Sequence, residues 1–370
     1  IYVTDDNPRN ENPSKIRKEI IKNLKGITYY NIGNRTKAIK QALLNAEPNE
    51  IILVTGKGHE IYQDYGNKII SISDKKIIKN LKLNKVKKNQ DHIINSNIIN
   101  QIKKDKKFYK FDGLAIDSRD VKKNNLFLAV KGKKNNGNNF ISKAIKKGAN
   151  LIASSKINKS YRNKTLKVDN EIAFLNKFAC LKRSNSNAKI IAITGSAGKT
   201  SVKNLLGDLL EVFGKTYASP RSFNNHFGVP ISLSNLNADH KYGVFEVGMS
   251  KEGEINRLSK MIKPNVGLIT NIGEAHIENF KNINVIAKAK SEIIKNINKE
   301  GYLILNREDK YFNYLSKLGK KRKINVLSFG RPGKSSARLI KNKLYKNYNH
   351  LHFRVLNKNI YLKVKNINSL

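Results

Sequence analysis

The sequence predicts an α/β protein of three blocks, in which apolar runs of strand length alternate with amphipathic runs of helix length. Three observations carry that expectation. Runs such as Ile190–Thr194 and Val266–Thr270 have the length of buried strands, and none approaches the roughly 20 apolar residues needed to span a bilayer. Two apolar runs end in Gly-rich turns, at Gly56-Lys57-Gly58 and at Gly195 to Gly198. A polar stretch rich in Lys and Asn, 84–107, separates the first such material from the second.

The first block, 1–88, opens with a strand at Ile1–Thr4. A helix over Pro13–Leu24 follows, with Pro at its start, and a second helix covers Arg35–Ala46. Ile51–Thr55 reads as an apolar strand feeding the Gly56 turn, giving half of a doubly wound sheet. Residues 89–107 read as a linker with a short helix. The second block, 108–184, has a strand at Leu126–Val130, a helix at Ile141–Lys147 and a strand at Ala149–Ser154. The third, 185–370, repeats strand–loop–helix units and shows no solenoid repeat.

At 370 residues the chain has room for two or three cores. It starts inside a strand at Ile1 and stops at Leu370, so it is expected to be an internal piece of a longer protein. The single cysteine, Cys180, excludes an intramolecular disulfide, reads as a buried structural thiol and fits the cytoplasm. Net charge is +44, from 72 basic and 28 acidic residues, which raises the prior for nucleic acid. The lysines are nonetheless scattered through every segment, with no helix-turn-helix, zinc spacing or RNA-binding aromatic signature. A solvated surface is the better reading, so no nucleic acid and no membrane insertion are expected, and the chain is expected to be monomeric.

Chemistry concentrates in the third block. The run Ile190 to Thr194 enters Gly195-Ser196-Ala197-Gly198-Lys199-Thr200-Ser201, and a helix follows to Phe213. A strand, a Gly-containing loop and a helix start are what backbone N–H groups need to wrap a polyphosphate. Lys199 would reach the β/γ-phosphates of ATP and the Thr200 hydroxyl would meet Mg²⁺. Ile193 stands where the strict pattern wants Gly, so this is the shorter GxxGKT form. Glu246 and His276 lie at the ends of two more apolar strands, where ligands of open α/β sheets gather. Either alone is more often structural; beside a phosphate loop, the pair reads as a metal site. The helix Val285–Ile297 carries Lys288 and Lys290, which on composition are solvated lysines.

Several ordered motifs make the third block resemble the central domain of the Mur ligases. They are Thr194-Gly195-Ser196-Ala197-Gly198-Lys199-Thr200-Ser201-Val202-Lys203, Ser222 to Pro230 with Asn224-Asn225, Glu246-Val247-Gly248-Met249-Ser250, Asn271-Ile272-Gly273-Glu274-Ala275-His276 and Ala287 to Ile293. The likeness is to the branch of the family that joins D-Ala-D-Ala to UDP-MurNAc-tripeptide. It implies ATP and Mg²⁺ at Gly195 to Ser201, Mg²⁺ on Thr200, Glu246 and His276, and Asn224 and Asn225 near substrate. It also implies one carbamylated lysine, with Lys290 favoured by its spacing to Ile293 and Lys288 the alternative. Asn306 and Asp309 resemble a looser Asn-x-x-Asp element on the nucleotide side.

The second block resembles the family's small α/β UDP-sugar domain, through Asp117-Ser118-Arg119 and Leu126 to Gly132. Ser118 and Arg119 would then face the uridine nucleotide. Asn136-Gly137-Asn138 stands where the family usually shows Asp-Gly-His. The first block resembles the Rossmann-like C-terminal domain of the branch that adds the third residue, through Asp6-Asn7-Pro8-Arg9 and Gly56-Lys57-Gly58-His59-Glu60. Asn7 and Arg9 would grip the distal carboxylate of meso-diaminopimelate, and Gly56 and Glu60 its ammonium end. The resemblance therefore implies a fusion of two consecutive ligases, cut at both ends, and little or no ligase activity for this chain alone. The rivals are a related P-loop ligase such as folylpolyglutamate synthetase and a basic nucleic-acid-binding ATPase.

Overall fold

The computed structural model describes all residues except 47–50, 58–59, 81–83, 133–134, 158, 275–276, 346–347 and 366–370, and leaves aside the side chains of 79–80, 84–89, 277 and 365. Two compact units result, Ile1–His92 and Ile93–Leu370.

In the first unit Tyr2–Val3 pairs in parallel with Tyr30–Asn31, and Tyr62–Asp64 pairs antiparallel with Ile69–Ser71. Helices Pro13–Lys22 and Arg35–Asn45 begin where expected. Asn12 and Asn34 cap them by accepting from backbone N–H groups of the first turn, and Pro13 needs no such partner. The buried aliphatic side chains among the described residues are Val3, Ala38 and Ile39. A buried ion pair does part of the packing: Arg35 donates to Asp74 through Nε (2.9 Å) and Nη2 (2.6 Å). The expected strand Ile51–Thr55 is not one. It joins no ladder, and Ile51 and Leu53 are 94% and 82% exposed. An apolar run becomes a buried strand only where neighbours cover both faces, and no described strand pairs with it here.

The expected linker is also corrected. Residues Asn84–Lys103 form a 20-residue helix. Its Ile98 and Ile99 are buried with Phe111, Leu126, Leu128, Leu175 and Phe178, and Ile94 and Ile102 pack alongside. Asn95 Nδ2 donates to the Phe111 carbonyl (3.1 Å), and Lys182 Nζ donates to Asn95 Oδ1 (2.6 Å). This helix thus closes one side of the second block, whose four parallel strands run in chain order: Leu114–Ala115, Leu126–Leu128, Leu151–Ser154 and Thr165–Lys167. The helix Glu171–Ser184 covers the same face, buried through Phe174, Leu175, Phe178 and Ala179. Cys180, expected inside, comes next in the helical turn and is exposed. Gly137 earns its place, since a Cβ there would run into the backbone of Ala129 and Val130.

The third block is a nine-stranded sheet. Its strands are β1 (Lys189–Thr194), β2 (Thr216–Ala218), β3 (Tyr242–Glu246), β4 (Val266–Ile269), β5 (Tyr302–Asn306), β6 (Asn325–Phe329), β7 (Ala337–Leu344), β8 (Tyr348–Val355) and β9 (Lys358–Lys365). Their spatial order is β2-β3-β1-β4-β5-β6-β7-β8-β9, parallel as far as β7 and antiparallel beyond it. The helices are α1 (Lys199–Glu211), α2 (Gly228–Ser234), α3 (Glu254–Ile262), α4 (Ile283–Ser291) and α5 (Phe312–Lys321). Ile190, Ala192, Phe245, Val247, Ile269, Leu303 and Leu305 centre the main core. Near-continuous apolar strands are what a parallel sheet covered on both faces requires.

Two polar links bind the second block to the third. The Asn235 amide pairs with both backbone groups of Leu114 (3.0 Å each). The buried Arg183 guanidinium caps the end of α3 through the carbonyls of Ile262 (2.7 Å) and Lys263 (3.0 Å). Among the described residues no helix is long and apolar enough to cross a membrane.

Candidate active site

The central strands β1, β3 and β4 are neighbours and deliver their following loops to one end of the sheet. After β1 the chain turns through Gly195 (φ +147°) and Gly198 (φ +79°), the latter capping α1. A Cβ on Gly195 would collide with Thr270 Oγ1, so the close approach of the β1 and β4 loops needs glycine. The loop between them is tied to the chain after β4. Ser196 N and Ala197 N both donate to Asn271 Oδ1 (3.1 and 2.9 Å). Ser196 Oγ donates to the Gly273 carbonyl and accepts from Gly273 N (2.9 and 2.8 Å), and Thr270 Oγ1 donates to the Ala197 carbonyl (2.6 Å). Lys199 Nζ folds back onto the carbonyl of Gly195 (2.8 Å).

On the first turn of α1, Thr200 Oγ1 donates to Glu246 Oε2 (2.7 Å), while Ser201 is exposed. Glu246 ends β3 and is 1% exposed; its other oxygen accepts from Asn224 Nδ2 (2.7 Å). Thr200, Glu246 and Asn224 thus form one hydrogen-bonded cluster at the mouth of the loop, built around the buried Glu246 carboxylate. Asn225 does something else, because its Oδ1 accepts from Phe227 N and Gly228 N at the entry to α2 (3.1 and 2.9 Å). One turn along α1, Lys203 is 1% exposed and donates to the Arg221 carbonyl. Burial pulls its ammonium below the usual lysine range, against the attraction of Glu246.

Lys290 on α4 is 3% exposed. Burial first, and the Lys199 charge second, pull its pKa down to about 7. Lys288, two residues earlier on the same helix, points to solvent and pairs with Glu252 (3.3 Å). Asp309 links the ends of β4 and β5, accepting from Ile272 N (2.6 Å) and Tyr311 N (2.8 Å), while Asn306 Oδ1 accepts from Glu308 N (3.0 Å). His276 lies outside the described residues.

Ser118 is buried, whereas the Arg119 guanidinium stands in solvent, clasped by Asp117 (Nη2 to Oδ2, 2.7 Å). Both belong to a turn beside an open cleft of about 770 Å³ between the second and third blocks, lined by Asp117, Arg119, Asp120, Lys147, Tyr217 and Arg221. In the first unit, Asn7 Nδ2 donates to Glu60 Oε2 (2.7 Å), and Lys57, 2% exposed, donates to Asn7 Oδ1 (3.1 Å) and to the Tyr62 carbonyl. Asp6 crowds the Gly56 turn (φ +108°). Arg9 is exposed at φ +51°, with its backbone N–H on the Asp64 carbonyl (3.0 Å).

The structure therefore gathers Lys199, Thr200, Glu246 and Asn224, with Lys290 close enough to Lys199 to feel its charge. It adds Asn271, Lys203 and Lys57, which stood inside quoted motifs without a role. Their signal was chemical type at a fixed offset, and only the fold shows what they touch. Glu246 and Thr200 offer oxygen donors, the kind Mg²⁺ takes together with substrate phosphates. Among the described residues there is no cluster of three or more His, Cys, Asp or Glu side chains able to cage a metal alone.

Comparison with known proteins bears on the family of the chain. Three family models match: "Mur ligase, glutamate ligase domain" over residues 1–58, "Mur ligase family, catalytic domain" over 110–182 and "Mur ligase middle domain" over 193–367. The UDP-N-acetylmuramoyl-tripeptide–D-alanyl-D-alanine ligase of Rickettsia prowazekii is 41% identical over 247 residues, covering 66% of this chain and 55% of the relative. The enzyme of that name from Escherichia coli is 31% identical over 212 residues, 57% and 47% of the two chains. The chain thus spans about half the length of the curated relatives it matches. Among solved structures, MurF of Acinetobacter baumannii superposes with a TM-score of 0.62 at 26% identity, covering 72% of this chain and 60% of that one. MurF of Thermotoga maritima, in complex with ADP, does so with 0.59 at 28% identity, covering 70% and 59%.

Proposed function

We propose, from the premise that the chain belongs to the Mur ligase family, that its protein joins D-Ala-D-Ala to UDP-MurNAc-tripeptide at ATP's expense. The observation that carries this is the Thr200–Glu246–Asn224 cluster around the buried Glu246 carboxylate at the mouth of the phosphate loop, beside Lys199. The names of the matched ligases supply the substrates.

In this reading Lys199 leaves the Gly195 carbonyl for the β/γ-phosphates of ATP. The tripeptide's terminal carboxylate attacks the γ-phosphorus, giving an acyl phosphate and ADP. The amine of D-Ala-D-Ala then adds to the acyl carbon, loses its proton, and the tetrahedral intermediate collapses with loss of phosphate. Thr200 and Glu246, with His276 by resemblance, would hold Mg²⁺, which supplies neutralisation of developing phosphate charge. The protein's own share is positioning, plus the Lys199 charge and the loop N–H dipoles. Lys290 is the lysine suited to carbamylation. A pKa near 7 leaves much of it as free amine, which adds to CO₂ and releases a proton; Lys288 is solvated and ion-paired. Ser118 and Arg119 would meet the uridine nucleotide at the cleft that Arg119 lines. For the first unit we propose kinship with the ligase that adds the third residue, Asn7 and Glu60 meeting meso-diaminopimelate around the buried Lys57.

Calorimetric titration of the chain with MgADP tests the nucleotide site first. Binding is expected, with loss on Lys199→Ala. Incubation of a chain carrying the full ligase with ATP, Mg²⁺, UDP-MurNAc-tripeptide and D-Ala-D-Ala should give the pentapeptide by mass. Pentapeptide formed equally well by Lys199→Ala would sink the assignment.

A further inference from the structure

Lys203 is buried on α1 three residues past Thr200, and its ammonium is spent on a backbone carbonyl, that of Arg221. Removing a lysine ammonium so completely from water is costly, and hydrogen bonding to the Arg221 carbonyl offsets part of that cost. Arg221 follows Pro220 and sits at φ +48°, a left-handed conformation a non-glycine residue adopts at a cost. The same short loop carries Ser219, whose hydroxyl accepts from Glu246 N (3.3 Å), and Asn224, whose amide meets the Glu246 carboxylate. Gly248 N closes it by donating to the Asn224 carbonyl (2.8 Å). In the other direction the Arg221 guanidinium reaches Asp120 of the second block (2.9 and 3.4 Å), in the turn that holds Asp117 and Arg119. One residue is thus tied by its carbonyl to the phosphate-loop helix and, through an exposed ion pair, to the turn beside the cleft.

We propose that Lys203 is a positioning residue: it holds Arg221 so that Asn224 meets Glu246, and through Arg221–Asp120 it couples ligand binding in the cleft to metal–nucleotide binding at Thr200 and Glu246. The coupling rests on the nucleotide reading given above; the tie itself does not. A uridine nucleotide that orders the Asp120–Arg221 tie should tighten MgADP, and because linkage is reciprocal MgADP should then tighten the uridine nucleotide by the same factor.

The test uses the full chain with Lys203→Met and Lys203→Arg, titrating ADP with and without Mg²⁺, and with and without UDP. Lys203→Met is expected to cut the gain in ADP affinity conferred by Mg²⁺ about tenfold, the usual scale for a group supporting a metal ligand. Metal-free ADP affinity should stay within about twofold, as expected for a group that acts on the metal side alone. Lys203→Arg should keep most of the gain. The effect of UDP on MgADP should vanish in Lys203→Met and in Asp120→Asn. An undiminished Mg²⁺ gain in Lys203→Met overturns the proposal, as does an equal loss of metal-free ADP binding, which marks a merely structural lysine. A wild-type chain that binds no ADP sinks the nucleotide reading instead. Amide exchange then decides the tie: faster exchange over 219–225 in Lys203→Met but not in Lys203→Arg supports it, and unchanged exchange overturns it.

Discussion

The two units of this chain are held together by different physics. Ile93–Leu370 has a conventional interior, with Phe245, Ile190, Leu303 and Leu305 fully inside a parallel sheet covered on both faces. Ile1–His92 buries three aliphatic side chains among its described residues and leans on polar contacts instead: Arg17 on Asp5, Arg35 on Asp74 and Lys57 among Asn7, Asp6 and Glu60. An apolar core is tolerant of direction and grows with area; an ion pair in a dry place depends on both partners being present. The same kind of substitution should therefore act differently on the two units.

The sharpest way to break the comparison is to empty the larger core. Phe245→Ala should destabilise the second unit by about 3–5 kcal/mol, the usual cost of a large-to-small change in a packed interior. Urea unfolding followed by amide exchange in each unit would check that the loss stays there. Next, Arg35→Met should cost the first unit about 3 kcal/mol, because it leaves Asp74 without its partner in a largely buried place. Restoring most of the stability by the double change Arg35→Met with Asp74→Leu would confirm that the pair, and not the volume, is responsible; no restoration would assign the loss to packing.

A third difference is in pH response. Lys290 has a folded pKa of about 7, below its unfolded value, so between about pH 7 and 10 the unfolded chain holds more protons than the folded one. In CO₂-free buffer the stability of the second unit should rise with pH across that window, and Lys290→Met should flatten the rise. A profile unchanged by the substitution would show that the ammonium is not desolvated. The smallest effect concerns a cap. Asn170 accepts from Ile172 N and Ala173 N at the start of helix Glu171–Ser184, so Asn170→Ala should cost about 1 kcal/mol by thermal melting of the second unit.

The contrast also explains what was legible in the sequence. β1 was readable because an apolar run, a glycine and a helix start coincide, and β3 and β4 because their apolar runs have the length of buried strands. Pro13 marked a helix start by local chemistry, and the structure adds Asn12 as its cap. Ile51–Thr55 carried the same apolar signal and failed, since burial is a property of neighbours and not of the run. The helix Asn84–Lys103 failed in the opposite way: its Lys- and Asn-rich composition hid an isoleucine seam that only the second block makes meaningful. Cys180 was misplaced because one apolar helix face cannot be phased from a ten-residue stretch that is apolar nearly all round. At the site, the residue types of Glu246 and Asn224 were evident, but their meeting through Thr200 is tertiary.

The Asn271 amide, finally, gives the phosphate loop a resident. Its oxygen already occupies the N–H groups of Ser196 and Ala197, and the Lys199 ammonium already has the Gly195 carbonyl. Capture of an anion here is accordingly an exchange, in which an uncharged acceptor is swapped for a charged one. The free energy gained is the difference between two sets of bonds, so affinity measures how much better phosphate is than a side-chain amide. A loop tied in this way has its turn already formed before any anion arrives.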